Sequence, residues 1–166
     1  MRLTQERLKA VLDYDSTNGL FNWRVSNNGR IRVGQRAGSL KPPLGYVQIK
    51  VDRVLYAAHR LAWLWVHGTF PENHIDHIDG DHANNRLANL RDVPVGINAQ
   101  NLRRARSNNE STKLLGVSRR NKTRGGFQAR IRFEGKEKRL GTFPTAEQAY
   151  AAYVAAKREL HPGCTI

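Results

Sequence analysis

His74-Ile75-Asp76-His77-Ile78-Asp79-Gly80-Asp81, Asn84-Asn85-Arg86-Leu87-Ala88-Asn89-Leu90-Arg91 and Ile97-Asn98-Ala99-Gln100-Asn101 form the stretch whose reading decides what this chain is. It sets histidines among hard oxygen donors and several asparagines. The chain around it holds 28 Lys and Arg against 14 Asp and Glu, a formal net charge of +14. That pairing points to a metal-assisted cut in a polyanion, and the obvious polyanion is nucleic acid.

The charge is uneven. Residues 1–99 carry 13 basic and 9 acidic side chains, whereas residues 100–166 carry 15 and 5. The second part is the stronger phosphate-binding candidate. The first part holds most of the acids, and acids in a basic chain need a reason, of which metal binding is one. A length of 166 residues allows one ordinary domain or two to three small ones. Hydrophobic residues make up 39%, so packed cores are possible, though none need be large. The single cysteine, Cys164, excludes an intramolecular disulfide and a cysteine-rich zinc finger. No apolar run reaches the roughly 18 residues of a membrane span. The N-terminus starts with a polar, helix-forming segment. An intracellular, cytoplasmic protein with no membrane partner is expected.

Leu8, Val11 and Leu12 fall at helical spacing within residues 4–13. Asp15-Ser16-Thr17-Asn18-Gly19 breaks that pattern, and Phe21, Trp23 and Val25 alternate as in a strand. A polar, Gly-rich, basic stretch runs over 26–41. It offers Arg30, Arg32, Arg36 and Lys41, with Arg24 before it, as a second DNA-facing surface. Val47, Ile49 and Val51 then alternate with Tyr46, Gln48 and Lys50, and Asp52-Arg53 can turn that strand into Val54-Leu55-Tyr56-Ala57. A helix is predicted from about Ala57 to His67, with Leu61, Leu64 and Trp65 as its apolar stripe and Gly68 to stop it. Residues 105–112 read as a linker. Beyond it, three short strands, with Glu134-Gly135 as a turn, lead to a helix capped by Thr145 and carrying Ala149, Ala152, Tyr153 and Ala156 on one face. Trp63, Trp65, Phe70 and Tyr153 are expected in the core.

Within the opening stretch, Asp76 offers an anionic oxygen and Asn98 a neutral one. Together they suit Mg²⁺ or Mn²⁺, which prefer oxygen and leave positions for water and phosphate. His77 has an ordinary pKa near 6.5 and fits a general base. If 76–79 is a strand, Asp76 and His77 point to opposite faces, and a twist or bulge is needed for both to serve one site. Asn89 could fix the imidazole from a second strand.

Asp76-His77-Ile78-Asp79-Gly80-Asp81, Asn89-Leu90-Arg91 and Asn98, preceded by His59-Arg60-Leu61-Ala62, strongly resemble the HNH endonucleases of phages, closest to the homing type. Asp13-Tyr14-Asp15-Ser16-Thr17-Asn18-Gly19-Leu20-Phe21-Asn22-Trp23-Arg24 fits the N-terminal style of that type. The resemblance implies a ββα-metal site in which Asp76 and Asn98 hold one divalent ion, His77 activates water and Asn89 orients His77. It implies hydrolysis of a phosphodiester to 5′-phosphate and 3′-hydroxyl ends, with one site per chain nicking one strand. Asn98, where other members have histidine, argues for one Mg²⁺-like ion over an all-histidine zinc site.

Gly116-Val117-Ser118-Arg119-Arg120, Ala129-Arg130-Ile131-Arg132, Leu140-Gly141-Thr142-Phe143 and Thr145–Tyr153 resemble the AP2 DNA-binding domain. That resemblance points to Arg119, Arg120, Arg130, Arg132 and Arg139 as the residues that meet DNA. Arginine suits the task because its planar fork grips guanine O6 and N7 or a phosphate. Arg103, Arg104, His59 and Arg60 are further candidates for DNA contact, His59 and Arg60 being as readily structural.

The expected fold class is α+β. Residues 1–56 would form an N-terminal helix and small antiparallel strands that contact DNA, and 57–104 a ββα-metal HNH core. Residues 105–112 would be a linker, and 113–161 an AP2-like three-stranded sheet with one helix. The expected substrate is double-stranded DNA cut at a specific site, with a monomeric protein, a phage gene acting in a bacterial host, and no small-molecule substrate. The alternative is a DNA-binding regulator that keeps the HNH motif without cutting. A calcium loop is excluded, because a frame with Gly80 sixth puts His77 third and Arg86 twelfth. His74, His77 and His82 are the trio that a structural zinc would use.

Overall fold

The computed structural model describes residues 2–26, 29–103, 105, 109, 111–121 and 125–166. Two compact units divide the chain, Met1–Val95 and Gly96–Ile166.

In the first unit, helix α1 (Gln5–Val11) opens at Thr4, whose side chain accepts from the Arg7 backbone N–H. The helix ends at Val11, two residues short of the expected stretch. Leu12 and Tyr14 are buried and Asp13 and Asp15 exposed, a period of two that makes Leu12–Asp15 a strand, β1. It pairs antiparallel with β2 (Leu20–Trp23). The turn is tied by the Asp15 carboxylate, which accepts from the Thr17 N–H and hydroxyl and from the Asn18 amide.

The polar, Gly-rich stretch over 26–41 supplies a short strand, β3 (Ser39–Lys41). It pairs with β4 (Tyr46–Val51), which pairs in turn with β5 (Val54–Ala57). The β4–β5 turn is the one expected at Asp52-Arg53. Both residues have positive φ, 47° and 69°, as a hairpin turn matched to strand twist requires. Helix α2 (Ala58–His67) follows, closed by Gly68 in the left-handed region. Strands β6 (His74–His77) and β7 (Leu90–Val93) form an antiparallel hairpin with Asp76 opposite Arg91 and His77 opposite Leu90.

One hydrophobic cluster runs through this unit, from Leu8, Leu12 and Phe21 through Ile49, Leu61 and Leu64 to Ile75 and Leu90. Trp63, Trp65 and Phe70 lie half-buried at its edge. The cluster takes in residues on both sides of 56/57. A two-stranded hairpin such as β6–β7 is marginal by itself, and it shares the core that α1, β2, β4 and α2 build.

Helix α3 (Val95–Gln100) starts at the division, and the second unit takes the chain from Gly96. Strands β8 (Val117–Arg119), β9 (Phe127–Phe133) and β10 (Lys136–Phe143) form an antiparallel sheet in the order β10-β9-β8. Helix α4 (Ala146–Leu160) lays Ala149 and Tyr153 against Val117, Ala129 and Ile131. Thr145 caps it by accepting from the Gln148 N–H, and Glu134-Gly135 turn β9 into β10 with positive φ. The expected three strands and one helix are all present.

The expected nuclease bounds, 57–104, run across the division at 95/96. The C-terminal tail holds residues 100–103: Gln100 Oε1 accepts from the Gly163 N–H at 3.0 Å, and Arg103 Nη2 donates to the Thr165 carbonyl at 3.0 Å. Buried Lys157 donates to the Leu102 carbonyl. Within the segment read as a linker, Asn109 and Thr112 donate to the Val117 carbonyl and so belong to the sheet's edge. Among the described residues no helix is long and apolar enough to cross a membrane.

Candidate active site on the β6–β7 hairpin

Strand β6 ends at His77, so the chain leaves the sheet where the chemistry begins. Ile75, Asp76 and His77 are buried in succession, which means both faces of the strand are covered. Asp76 is 6% exposed, and its Oδ2 accepts from Arg91 Nε at 2.9 Å and from Nη2 at 2.7 Å. The register explains this ion pair, since Asp76 and Arg91 face each other across the hairpin.

The connection from Ile78 to Arg86 is stapled by its own polar residues. Gly80 takes a φ of 75°, and Asp79 Oδ1 accepts from the Asp81 N–H. Asn84 donates to Asp79 Oδ2 at 2.6 Å. Asn89 closes the single 3₁₀ turn Leu87–Asn89 before β7. Its amide donates to Asp79 Oδ1 and to the Asn84 carbonyl, and its Oδ1 accepts from the Asp79 N–H. Burial pushes the Asp79 carboxyl up, but the bonds from Asp81, Asn84 and Asn89 outweigh it and hold the group below its ordinary value.

Asn89, expected to orient His77, bonds to Asp79 and Asn84, and a different asparagine lies beside the ring. Asn85, 2% exposed, sets Oδ1 at 3.3 Å from His77 Nε2. Its Nδ2 donates to the Ala83 carbonyl, and its own carbonyl accepts from the Tyr14 hydroxyl at 2.7 Å. Asn85 Oδ1 can only accept, so the His77 proton sits on Nε2 and the lone pair on Nδ1. Burial pulls the His77 pKa below its ordinary value, against the hydrogen bond that His77 donates to Asn85, which raises it. A neutral imidazole with one lone pair is what a general base requires.

Three more rings surround His77. The His59 ring on the first turn of α2 meets it edge-on at 5.1 Å between centroids. Tyr46 of β4 lies 6.0 Å from His77 and 5.3 Å from His59, and it stacks on His82 at 4.2 Å. His82 is fixed by its Nδ1, 2.6 Å from the Leu44 carbonyl. Tyr14, Tyr46, His82 and Asn85 are the residues that sequence reasoning missed. Tyr14 sat inside a quoted motif and Asn85 beside Asn84, but nothing in the spacing showed that they converge on His77. The zinc trio is not gathered: His74 is exposed on β6, and strand alternation sets it on the face away from His77.

Asn98 lies on α3 in the second unit. Asn101 follows α3, its N–H donating to the Asn98 carbonyl, and its side chain accepts from the Thr165 hydroxyl. Among the described residues no three His, Cys, Asp or Glu side chains cluster to hold a metal ion. The Asp76 carboxylate is a hard anionic oxygen, the kind of donor that an ion of the Mg²⁺ type prefers.

The sheet of the second unit sorts the arginines. Arg130 and Arg132 alternate with buried Ala129 and Ile131, so they stand on the face away from α4, and Arg139 pairs directly with Arg130. Arg130 also bridges to Glu137 at 2.8 Å. Arg119 pairs with Phe127 and so falls on the other face, at the strand's end, with Arg120 just beyond it. Arg103 is spent on Thr165, and Arg60 lies over the Phe70 ring. Arg104 lies outside the described residues.

The model of the HNH endonuclease family matches residues 56–100, which run from β5 through α3 and take in Asp76, His77, Asn85, Asn89 and Asn98. No curated protein and no solved structure matches the chain. An HNH endonuclease domain thus occupies residues 56–100. It implies nuclease chemistry on a nucleic-acid substrate, and nucleases of this kind generally use a divalent metal ion.

Proposed function

We propose that this chain is a site-specific DNA endonuclease of the homing type, hydrolysing one phosphodiester bond with one divalent ion and nicking one strand of a duplex. The observation that carries the reading is the pairing of a buried, neutral His77, oriented through Nε2 by Asn85, with Asp76 beside it on a hairpin inside the HNH match.

In this reading His77 Nδ1 takes the proton from the attacking water, and Asn85 and Tyr14 hold the ring for that transfer. Asn89 keeps the loop closed around it. Asp76 and Asn98 would hold the ion, which supplies charge neutralisation at the scissile phosphate and at the leaving 3′ oxygen. Arg130, Arg132 and Arg139 meet DNA on the open face of an AP2-like sheet, and Arg119 and Arg120 meet it at the sheet's edge. The protein acts as a monomer, from a phage gene in the host cytoplasm.

One observation favours a second reading, a DNA-binding regulator that does not cut. Arg91 already occupies Asp76 Oδ2 with two nitrogens, which competes with a metal there.

Supercoiled plasmid incubated with the protein in Mg²⁺, in Mn²⁺ and in EDTA separates the two. Metal-dependent open circles, absent with His77→Ala, are the expected result. Linear product would indicate two coordinated cuts. Binding without cleavage in every metal would leave the regulator.

A further inference from the structure

We infer that His59 is a second catalytic residue of the reaction proposed above, donating a hydrogen bond from Nε2 to an oxygen of the phosphodiester under attack. The inference rests on the nuclease reading, and on a feature that packing does not explain.

His59 is an imidazole in a place where an apolar ring would serve the fold. It lies on the first turn of α2, beside Ala58 and Leu61, both fully packed in the core. Its Nδ1 is buried without a hydrogen-bond partner. An unsatisfied buried polar atom costs about 1–3 kcal/mol, and in a folded protein such an atom asks for an explanation. Phenylalanine would keep the edge-on contact with His77 and the contact with Tyr46 at no such cost.

The same observation fixes the tautomer. A proton on Nδ1 would bury an orphaned N–H, the rarer and costlier defect. The proton therefore sits on Nε2, and Nδ1 is the bare nitrogen. His59 is also neutral: burial, with repulsion from His77, Arg60 and His82, takes its pKa down to about 3. The site thus sets the two imidazoles edge-on at 5.1 Å, with His59 presenting its N–H on Nε2 beside His77. A base and a fixed donor side by side are what a phosphodiester needs, the base for the water and the donor for the oxygen on which charge develops. The donor undergoes no change of charge: the water oxygen bonds to phosphorus as the P–O3′ bond breaks, the water proton passes to His77, and the leaving 3′ oxygen takes a proton from solvent water.

The test compares His59→Phe, His59→Gln and wild type, with His77→Ala alongside, for cleavage in Mg²⁺ and for duplex binding in EDTA. Phenylalanine keeps the ring and loses the donor, whereas glutamine keeps an Nε2–H. Removing one preorganised donor costs on the order of 100-fold in rate. His59→Phe is expected to cut about 100-fold more slowly with duplex affinity within about threefold of wild type, and His59→Gln to recover part of the loss. Wild-type cleavage by His59→Phe overturns the inference and leaves the nuclease reading standing. A wild-type protein inert in every divalent ion overturns both. If His59→Phe fails to fold, ¹⁵N shifts of the wild-type imidazoles decide: the Nε2–H tautomer at neutral pH is expected, and the Nδ1–H tautomer refutes the donor role.

Discussion

Asn85 and His77 are held in register by three separate bonds to the asparagine. Its Nδ2 is committed to the Ala83 carbonyl, its backbone carbonyl to the Tyr14 hydroxyl, and only Oδ1 is left to face His77 Nε2 at 3.3 Å. The amide cannot flip without losing the Ala83 bond, so the imidazole tautomer is set by the loop. The N-terminal hairpin, through Tyr14, takes part in holding Asn85 beside His77.

Asn85→Ala should leave DNA binding intact and slow cleavage by at least about tenfold, because a general base that is free to change tautomer loses much of its contribution. Cleavage assays paired with gel shifts in EDTA measure the two effects separately. Equal loss of both would make Asn85 a folding residue only.

Gly19 tests the same coupling from the other side. It has a φ of 76°, and a Cβ there would sit 2.4 Å from the Arg86 nitrogen and 2.5 Å from the Asn85 carbonyl carbon. Gly19→Ala must move either the β1–β2 turn or the loop that carries Asn85. The left-handed conformation alone costs about 1–2 kcal/mol. A urea-midpoint shift of at least that size is expected, with a fall in cleavage larger than in binding.

His59 makes stability depend on pH. In the unfolded chain it titrates near 6.5, and in the folded chain near 3. Between those values the unfolded state takes up a proton that the folded state refuses. Stability is therefore full above pH 6.5 and falls as the pH drops, by up to about 1.4 kcal/mol per pH unit. The His77 pKa is lowered as well, which adds to the loss in the same direction. Urea unfolding at pH 7 and pH 5 should show the loss in wild type and a smaller one in His59→Gln.

The open sheet face should dominate DNA affinity. Arg132→Ala and Arg139→Ala are each expected to weaken binding and to lower the log–log salt slope by about 1, starting from a slope near −5 if about 6 phosphates are neutralised. Arg119→Ala, on the opposite register face, should do less. Fluorescence anisotropy at several salt concentrations reads all three, and a flat salt response in wild type would sink the basic-surface account.

The tail should matter to α3. Lys157→Met removes a buried donor and leaves the Leu102 carbonyl unpaired, at about 1–3 kcal/mol. A chain ending at His161 loses Gly163 and Thr165 and with them the bonds to Gln100, Asn101 and Arg103. Both variants should lower cleavage more than duplex binding. Cleavage at the wild-type rate in the shortened chain would show that the tail serves only the sheet.

Sequence by itself determined the elements with a strong local cause. The β4–β5 hairpin was legible because Val47, Ile49 and Val51 alternate up to a turn at Asp52-Arg53. Helix α2 was legible from its stripe and Gly68, and the three strands and helix of the second unit from their turn residues and the Thr145 cap. The HNH segment was legible because its chemistry lies within one short stretch, and the family match covers that stretch. What only the tertiary structure decided depends on contacts between residues far apart in the chain. Leu12 and Tyr14 lie in a strand because Phe21 and Trp23 pair beside them. The choice of Asn85 over Asn89 beside His77 depends on a hydroxyl 71 residues away. The bonds made by Gln100 and Arg103 depend on a tail that returns from Gly163 and Thr165. Hydrophobic period and turn chemistry act over a few residues and can be read from the sequence. Which buried polar groups satisfy one another is settled only when the core brings them within about 3 Å.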